Sequence, residues 1–185
     1  MFPELYILRH GETVWNSENR MQGELNSPLT PKGEAQAAQQ GAILREFDLT
    51  GFAFIVSPQG RAVQTAGIAL GAFAQDIRTD DRLREIGVGD WSGLCRDDLP
   101  MGSGPDALMA QYEAAPNGEG IVALGLRVAA FLRDLKGPAV LVTHGITSRV
   151  LRSSIAGDAA IGASSIHGGQ GCVYHLKDGV QKLLD

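Results

Sequence analysis

The sequence predicts an α/β fold, a three-layer sandwich in which a mostly parallel central sheet has helices on both faces, with a small cap region. Short apolar runs typical of buried strands alternate with longer segments of helical periodicity, which is the pattern of this class. The 185 residues, 44% of them hydrophobic, suit one ordinary domain with a sizeable core. We therefore expect a single domain over residues 1–185, with residues 94–117 as a short cap or insertion.

Buried strands are predicted where several apolar residues follow one another between turn signals. Residues 77–83 favour a short extended segment. In the tail, the turn dipeptide Asp178-Gly179 predicts a hairpin within residues 172–184. The three buried strands are predicted at residues 5–8, 52–56 and 139–142.

Helices are predicted from caps, breakers and the spacing of apolar residues. Thr30 is a favourable N-cap, followed by Pro31 at the first helical position. After Ile121, apolar residues recur at helical spacing until Gly137-Pro138 ends the pattern. Residues 94–117 contain several prolines and glycines and support at most one short helix. The predicted helices span residues 31–46, 61–73, 106–114, 121–135 and 145–156.

Composition narrows the class of partner and the cellular location. The chain has 16 Lys and Arg against 21 Asp and Glu, a net charge of −5, so we expect neither nucleic-acid nor membrane binding. No apolar run is long enough to span a bilayer, and the N-terminus lacks the features of a secretory signal. Cys95 and Cys172 match no metal or redox spacing. We expect a cytoplasmic protein, and the sequence does not indicate its oligomeric state.

Basic and imidazole side chains gather at the carboxyl ends of the predicted buried strands. The first strand leads into Arg9-His10-Gly11, the second into Ser57-Pro58 and then Arg61, and the third into Thr143-His144-Gly145. Ligands of parallel α/β sheets bind beyond the carboxyl ends of the strands. If these strands are neighbours, two imidazoles, two guanidiniums and helix N-termini converge on one cleft. Such a cleft suits a compact dianion, and phosphate is the obvious candidate.

Other ligand-binding motifs are not present in the sequence. It contains no phosphate-binding P-loop, no dinucleotide-binding glycine motif after the first strand, and no zinc-ligand spacing. A single histidine at a strand end is more often structural, so the joint placement carries the argument. His167 and His175 lie in the tail without basic neighbours, and we expect surface or edge-strand positions for them.

An ordered set of motifs along nearly the whole chain resembles the histidine phosphatase superfamily, also called the phosphoglycerate mutase-like family, in its phosphatase branch. The sequence departs from the family pattern at Gln59-Gly60, where many members have Leu, and at Gly120, where a Ser usually follows the Glu. The matching motifs are residues 9–16, 22–23, 27–30, 57–66, 83–86, 89–93 and 142–145.

The resemblance implies a role for each matching residue. His10 would be a neutral nucleophile that forms a phosphohistidine, with its other ring nitrogen held by a backbone carbonyl. Arg9 and Arg61 would bind phosphoryl oxygens together with His144 as an imidazolium. Glu85 would give a proton to the leaving oxygen and then take one from water. Further substrate contacts are expected from Asn16, Gln22, Gly23 and Gly145, and neither a metal nor a cofactor is expected.

The expected function is hydrolysis of a phosphoric monoester, with a small phosphorylated metabolite as the substrate. The alternative is phosphoglycerate mutase-type transfer, but a mutase must exclude water while its intermediate reorients, and residues 94–117 form a short loop for that task. A third hypothesis is a non-catalytic phosphate-binding regulatory module.

For Glu85, the residues alone also allow an exposed ion pair with Arg82 or Arg84.

Overall fold

A computed structural model describes residues 2–73, 76–104, 106–157 and 169–185. Within these residues the strands form one sheet in the order β3-β2-β4-β1-β5-β6. The pairs β3–β2, β2–β4 and β4–β1 are parallel, whereas β1–β5 and β5–β6 are antiparallel. The predicted α/β class with a mostly parallel sheet is confirmed. The strands are β1 (Leu5–Arg9), β2 (Ala53–Val56), β3 (Ile77–Thr79), β4 (Ala139–Thr143), β5 (Val173–Lys177) and β6 (Val180–Leu184).

The predicted helices are confirmed, with ends that differ by up to three residues. Thr30 caps its helix through a hydrogen bond that its side chain accepts from Gly33 N–H. One four-residue helix was not predicted, and it begins at a capping box between Thr13 and Asn16. The helices are α1 (Val14–Ser17), α2 (Pro31–Leu44), α3 (Gly60–Leu70), α4 (Ala107–Glu113), α5 (Ile121–Asp134) and α6 (Gly145–Ala156).

Two hydrophobic clusters cover the two faces of the sheet, because successive residues of a strand point to opposite faces. Along β1, Leu5 and Ile7 belong to the cluster that includes residues of α5 and α6, while Tyr6 and Leu8 belong to the cluster with residues of α2 and α3. The five residues of β4 are all buried. The apolar runs that predicted these strands therefore reflect burial on both faces.

Of the remaining predictions, the hairpin is confirmed, the extended segment is partly confirmed and the position of His175 is wrong. The hairpin is confirmed, and Asp178 and Gly179 have φ angles of 53° and 75°, as its tight turn requires. The extended segment predicted at residues 77–83 is only partly extended, because a 3-10 turn at Asp81–Leu83 follows β3. His175 lies on the inner strand β5, not on the surface or an edge, with its ring stacked on Tyr6.

Residues 94–117, described except for residue 105, contain little regular secondary structure. The described part contains a 3-10 turn at Arg96–Asp98 and helix α4. An isolated bridge between Arg20 and Cys95 ties this segment to the chain that follows α1.

No described helix is long and apolar enough to cross a membrane. His167 lies outside the described residues.

Candidate active site

The order of the strands brings the three predicted strand ends together. Strand β4 lies between β2 and β1, so Ser57, His10 and His144 follow three adjacent strands. The His10 N–H donates to the Thr143 carbonyl at 3.0 Å, which extends the pairing of β1 and β4 to the site. The rings of His10 and His144 have centroids 5.1 Å apart. Arg61 lies in the first turn of α3, directly after β2.

A cavity of about 340 Å³ opens in front of these strand ends. Its wall includes most of the side chains predicted for the site, together with residues that the sequence did not indicate. His144 is not part of this wall, because its ring is fully buried beside His10. The predicted residues on the wall are Arg9, His10, Asn16, Gln22, Gly23, Arg61, Glu85 and Gly145.

His10 is a neutral imidazole, and one of its two ring nitrogens makes a hydrogen bond. Its Nδ1 lies 2.7 Å from the carbonyl oxygen of Gly11, which can only accept, so Nδ1 carries the proton and Nε2 carries the lone pair. Burial lowers the pKa of His10 well below 6.5, and the charges of Arg61 and Arg9 lower it further. The predicted backbone hydrogen bond is present. Among the described residues, Nε2 has no hydrogen-bond partner.

His144 is also neutral, which corrects the expectation of an imidazolium. Burial lowers its pKa well below 6.5, and the positive charge of Arg61 adds to the effect. Its Nε2 lies 2.7 Å from the Ser57 hydroxyl, and its Nδ1 is buried without a partner among the described residues. The sequence suggested a cation at this position, but a fully buried ring beside two guanidiniums does not hold a proton in the free site.

Arg61 and Arg9 supply the positive charge. Arg61 is 1% exposed and donates from Nη1 to the Leu25 carbonyl at 2.8 Å and from Nη2 to the Gly23 carbonyl at 2.9 Å. Burial lowers the pKa of Arg61 to about 10, with Arg9 contributing, so it stays cationic at neutral pH. The Nε atoms of both arginines are buried without a partner in the described part of the chain. Buried donors without partners are rare, and they point to a missing acceptor.

Glu85 is held at the N-terminus of α6. Its Oε2 accepts from Ile146 N–H at 3.2 Å, and its Oε1 accepts from Thr147 N–H at 3.1 Å. The alternative of an exposed ion pair with Arg82 is wrong, because Arg82 pairs with Asp80 and Asp134. The carboxyl group instead lies on the cavity wall, beside the first turn of α6.

The other predicted residues lie where the chain leaves α1. Asn16 accepts at Oδ1 from Thr13 N–H and from Gln170 Nε2, each at 3.2 Å, which leaves its amide nitrogen as a donor. Gln22 donates to the Thr13 hydroxyl at 2.7 Å, and its Oε1 is buried without a partner in the described residues. Gly23 has a φ of 51°, and a Cβ there would meet Val88, so the turn requires glycine.

The comparison with known families agrees with this geometry. The model of the histidine phosphatase superfamily (branch 1) matches residues 5–181. The chain belongs to this superfamily. A curated relative, the probable phosphoglycerate mutase GpmB of Enterobacter sp. (strain 638), is 39% identical over 170 residues, which is 83% of this chain and 75% of the relative.

Solved structures of other superfamily proteins have the same fold. The phosphoglycerate mutase from Thermus thermophilus has a TM-score of 0.75 and 34% identity, covering 98% of this chain and 96% of that chain. A putative alpha-ribazole-5'-P phosphatase from Escherichia coli str. K-12 substr. MG1655 has a TM-score of 0.74 and 25% identity, covering 99% of this chain and 95% of that chain. The named activities of these relatives thus include both transfer and hydrolysis.

Several residues of this histidine phosphatase superfamily site were missed from the sequence. Ser57 was noted only as part of a motif, yet it holds His144. Arg20 precedes the predicted Gln22-Gly23 pair, and its place on the cavity wall had no separate signal. Arg96 and Tyr112 come from residues 94–117, where the irregular sequence gave no periodicity to follow.

The two departures from the superfamily pattern have different surroundings. Gly120 has a φ of 76° directly before α5, where a side chain would be strained, and it is not on the cavity wall. Gln59 is buried between the site elements.

Among the described residues, no cluster of three or more His, Cys, Asp or Glu that could hold a metal ion is found.

Proposed function

We propose that this protein is a phosphomonoesterase that works through a phosphohistidine on His10. The observation that carries the proposal is the protonation state of this ring. Its Nδ1–H donates a hydrogen bond to the Gly11 carbonyl, and its Nε2 keeps a lone pair beside the guanidiniums of Arg9 and Arg61. A neutral imidazole next to a cationic cavity wall meets the needs of nucleophilic attack on a phosphate dianion.

The reaction needs two proton transfers, both assigned to Glu85. First, the lone pair of His10 Nε2 forms a bond to phosphorus while the bond to the leaving oxygen breaks, and Glu85 gives its proton to that oxygen. Next, Glu85 takes a proton from water, the water oxygen bonds to phosphorus and the P–N bond breaks. Inorganic phosphate leaves, His10 is neutral again and Glu85 is protonated again.

Charge stabilisation comes from the chain itself. The buried Nε atoms of Arg9 and Arg61 gain acceptors when phosphoryl oxygens enter, and the amide of Asn16 adds a further donor. The Gly145 N–H, at the first position of α6, adds another donor, whereas the next two N–H groups of the helix are held by Glu85. No step of this proposal requires a metal or a cofactor.

His144 acts as a neutral donor in this scheme. In this proposal the Ser57 hydroxyl, whose oxygen also accepts the Gln59 N–H at 3.4 Å, donates its proton to His144 Nε2 at 2.7 Å. Nε2 then accepts, and Nδ1 carries the hydrogen of the ring. Although His144 does not line the cavity in the free protein, we propose that this Nδ1–H, which has no partner among the described residues, donates to a phosphoryl oxygen once His10 is phosphorylated, so an imidazolium is not needed.

The substrate is proposed to be a small phosphorylated metabolite. A cavity of about 340 Å³ accommodates a metabolite, and the net charge of −5 does not favour nucleic acid. Arg20 and Arg96 add two guanidiniums on the wall of the same cavity. These cations favour a substrate with negative charge beyond the transferred phosphate.

Hydrolysis is proposed over mutase-type transfer because the described residues form only a small cover over the cavity. The side chain of Arg20 is 44% exposed although it lines the wall, and the described part of residues 94–117 contributes only a 3-10 turn and the seven residues of α4. A cover of this size does not exclude water while an intermediate reorients.

The second candidate, phosphoglycerate mutase activity, is supported by the names of the curated relatives. The complete site argues against a non-catalytic module.

The test supplies 3-phosphoglycerate and p-nitrophenyl phosphate, and follows inorganic phosphate alongside the 2-isomer of phosphoglycerate. We expect phosphate release from at least p-nitrophenyl phosphate, with the His10→Ala variant as the background. Fast isomerisation with negligible phosphate release would favour the mutase. Phosphate binding without turnover of either ester would favour the regulatory module.

A further inference from the structure

The carboxamide of Gln59 links two parts of the site that are far apart in the sequence. Its Oε1 accepts the Glu85 N–H at 2.8 Å, and its Nε2 donates to the Gly23 carbonyl, also at 2.8 Å. The side chain is 8% exposed. Because one end meets a donor and the other an acceptor, the partners fix the orientation of the amide.

Both partners of Gln59 lie on the cavity wall. The Gly23 carbonyl also accepts a hydrogen bond from Arg61 Nη2 at 2.9 Å, so Gln59 and Arg61 share one acceptor. At its other end, Gln59 holds the backbone of the residue whose carboxylate rests against the N-terminus of α6. The link therefore joins the phosphate-binding side of the site to the proton-donor side.

The backbone around Glu85 is held by side chains from several other elements. Thr143 donates to the Leu83 carbonyl and Thr147 to the Arg84 carbonyl, each at 2.7 Å. In the described part of the chain, Gln59 Oε1 is the partner of the Glu85 N–H. Without Gln59, this partly buried amide loses its acceptor, and the position of Glu85 is less strictly defined.

We infer that Gln59 is a positioning residue that fixes the proton donor Glu85 relative to the phosphate-binding loop at Gly23. The inference rests on the proposed function, in which Glu85 protonates the leaving oxygen. Many members of the superfamily have Leu at this position, and Leu can make neither hydrogen bond. The coupling is thus a property of this chain and does not follow from the family pattern.

The consequence of losing the link depends on the leaving group. Phenol is a weak acid and needs a well-placed proton as it leaves, whereas p-nitrophenol leaves readily as the anion. For Gln59→Met, which keeps the length of the side chain and removes both hydrogen bonds, we expect kcat/KM for phenyl phosphate to fall about 5- to 30-fold. With p-nitrophenyl phosphate, we expect a fall of at most about twofold.

The experiment measures kcat/KM for both esters, since this parameter reports the step in which the leaving group departs. Glu85→Gln sets the size of the effect when no proton is available. Gln59→Leu is the second variant, because Leu is common at this position in the superfamily and should fold. Gln64→Met is the matched control, since Gln64 is an exposed glutamine of α3, the helix that follows Gln59, and its Oε1 accepts the Leu29 N–H at 3.3 Å.

The outcomes separate the inference from the proposed function. A selective loss with phenyl phosphate in both Gln59 variants, with Gln64→Met unchanged, supports the inference. Equal losses with both esters, or no loss, would overturn it while hydrolysis by the wild-type protein still stands. If the wild-type protein hydrolyses neither ester, the proposed function fails and the inference fails with it.

Discussion

Two buried arginines in this fold have opposite surroundings. Arg61 on α3 is 1% exposed, and Arg152 on α6 is 2% exposed. Arg152 donates from Nε to the Ser148 carbonyl and hydroxyl at 3.2 Å and from Nη1 to Gln181 at 3.0 Å, and its guanidinium lies 3.8 Å from the ring centre of Tyr174. The Nε of Arg61, in contrast, has no partner among the described residues.

The difference shows how a structural cation and a ligand-binding cation can be told apart. The hydrogen bonds of Arg152 and the aromatic face beside it compensate for its burial. Burial lowers the pKa of both arginines, but Arg61 is buried with part of its hydrogen-bonding capacity unused within the described chain. An entering anion would supply both the missing acceptor and the opposite charge.

Removing Arg61 should have the largest effect on activity. We expect Arg61→Met to lower kcat/KM for p-nitrophenyl phosphate about 10³-fold, because donors that meet charge in the transition state are worth this much. The variant should also lose the rise in melting temperature that inorganic phosphate gives the wild-type protein. Retained activity together with an unchanged phosphate effect would show that Arg61 does not contact the anion.

Removing Arg152 should affect stability instead. In Arg152→Met the acceptors on Ser148 and Gln181 lose their donor, so we expect the free energy of unfolding to fall by about 2 kcal/mol. The kcat/KM of the folded variant should stay within about twofold of wild type. Urea unfolding and steady-state kinetics measure the two effects. A large loss of activity at unchanged stability would remove the contrast with Arg61.

The two histidines of the site predict a smaller, pH-dependent effect on stability. Burial lowers the pKa of His10 and of His144 well below 6.5 in the folded protein. Below about pH 6.5 the unfolded chain binds more protons than the folded one, so stability should decline by up to about 1.4 kcal/mol per pH unit for each histidine.

Urea unfolding at pH 7.5, 6.5 and 5.5 tests this pH dependence, with His10→Gln as the comparison. The slope between pH 6.5 and 5.5 should be about half as steep in the variant, since one of the two buried rings is gone. Stability that is flat or rises as the pH falls would contradict the neutral state assigned to both rings.

Much of the fold could be predicted because local sequence and burial agree. The apolar runs of β1 and β4 are buried on both faces, and Thr30-Pro31 caps a helix as expected. The end of the extended segment at residues 77–83 could not be predicted, because Asp80 starts a 3-10 turn there through its own side chain. A local side-chain hydrogen bond thus competes with the extended backbone and ends the strand early.

The site could be predicted where motif residues follow strands and, for Asn16, Gln22, Gly23 and Glu85, from the resemblance to a family. His10, Arg61 and His144 were found in this way, but the charge of His144 was not, since it depends on burial and on two neighbouring guanidiniums. The Ser57 contact with His144 and the Gln59 link join residues distant in sequence. Contacts of this kind follow from the packed structure and leave no local pattern in the sequence.

The central claim is that His10 carries the phosphoryl group. The most direct measurement mixes the protein with a ³²P-labelled ester, quenches within milliseconds and isolates the labelled protein. We expect a phosphoenzyme that is stable to alkali and labile to acid, located by peptide mapping at His10 and absent from His10→Ala. Label found instead on Ser57 or Cys95, or turnover without any labelled protein, would contradict the account.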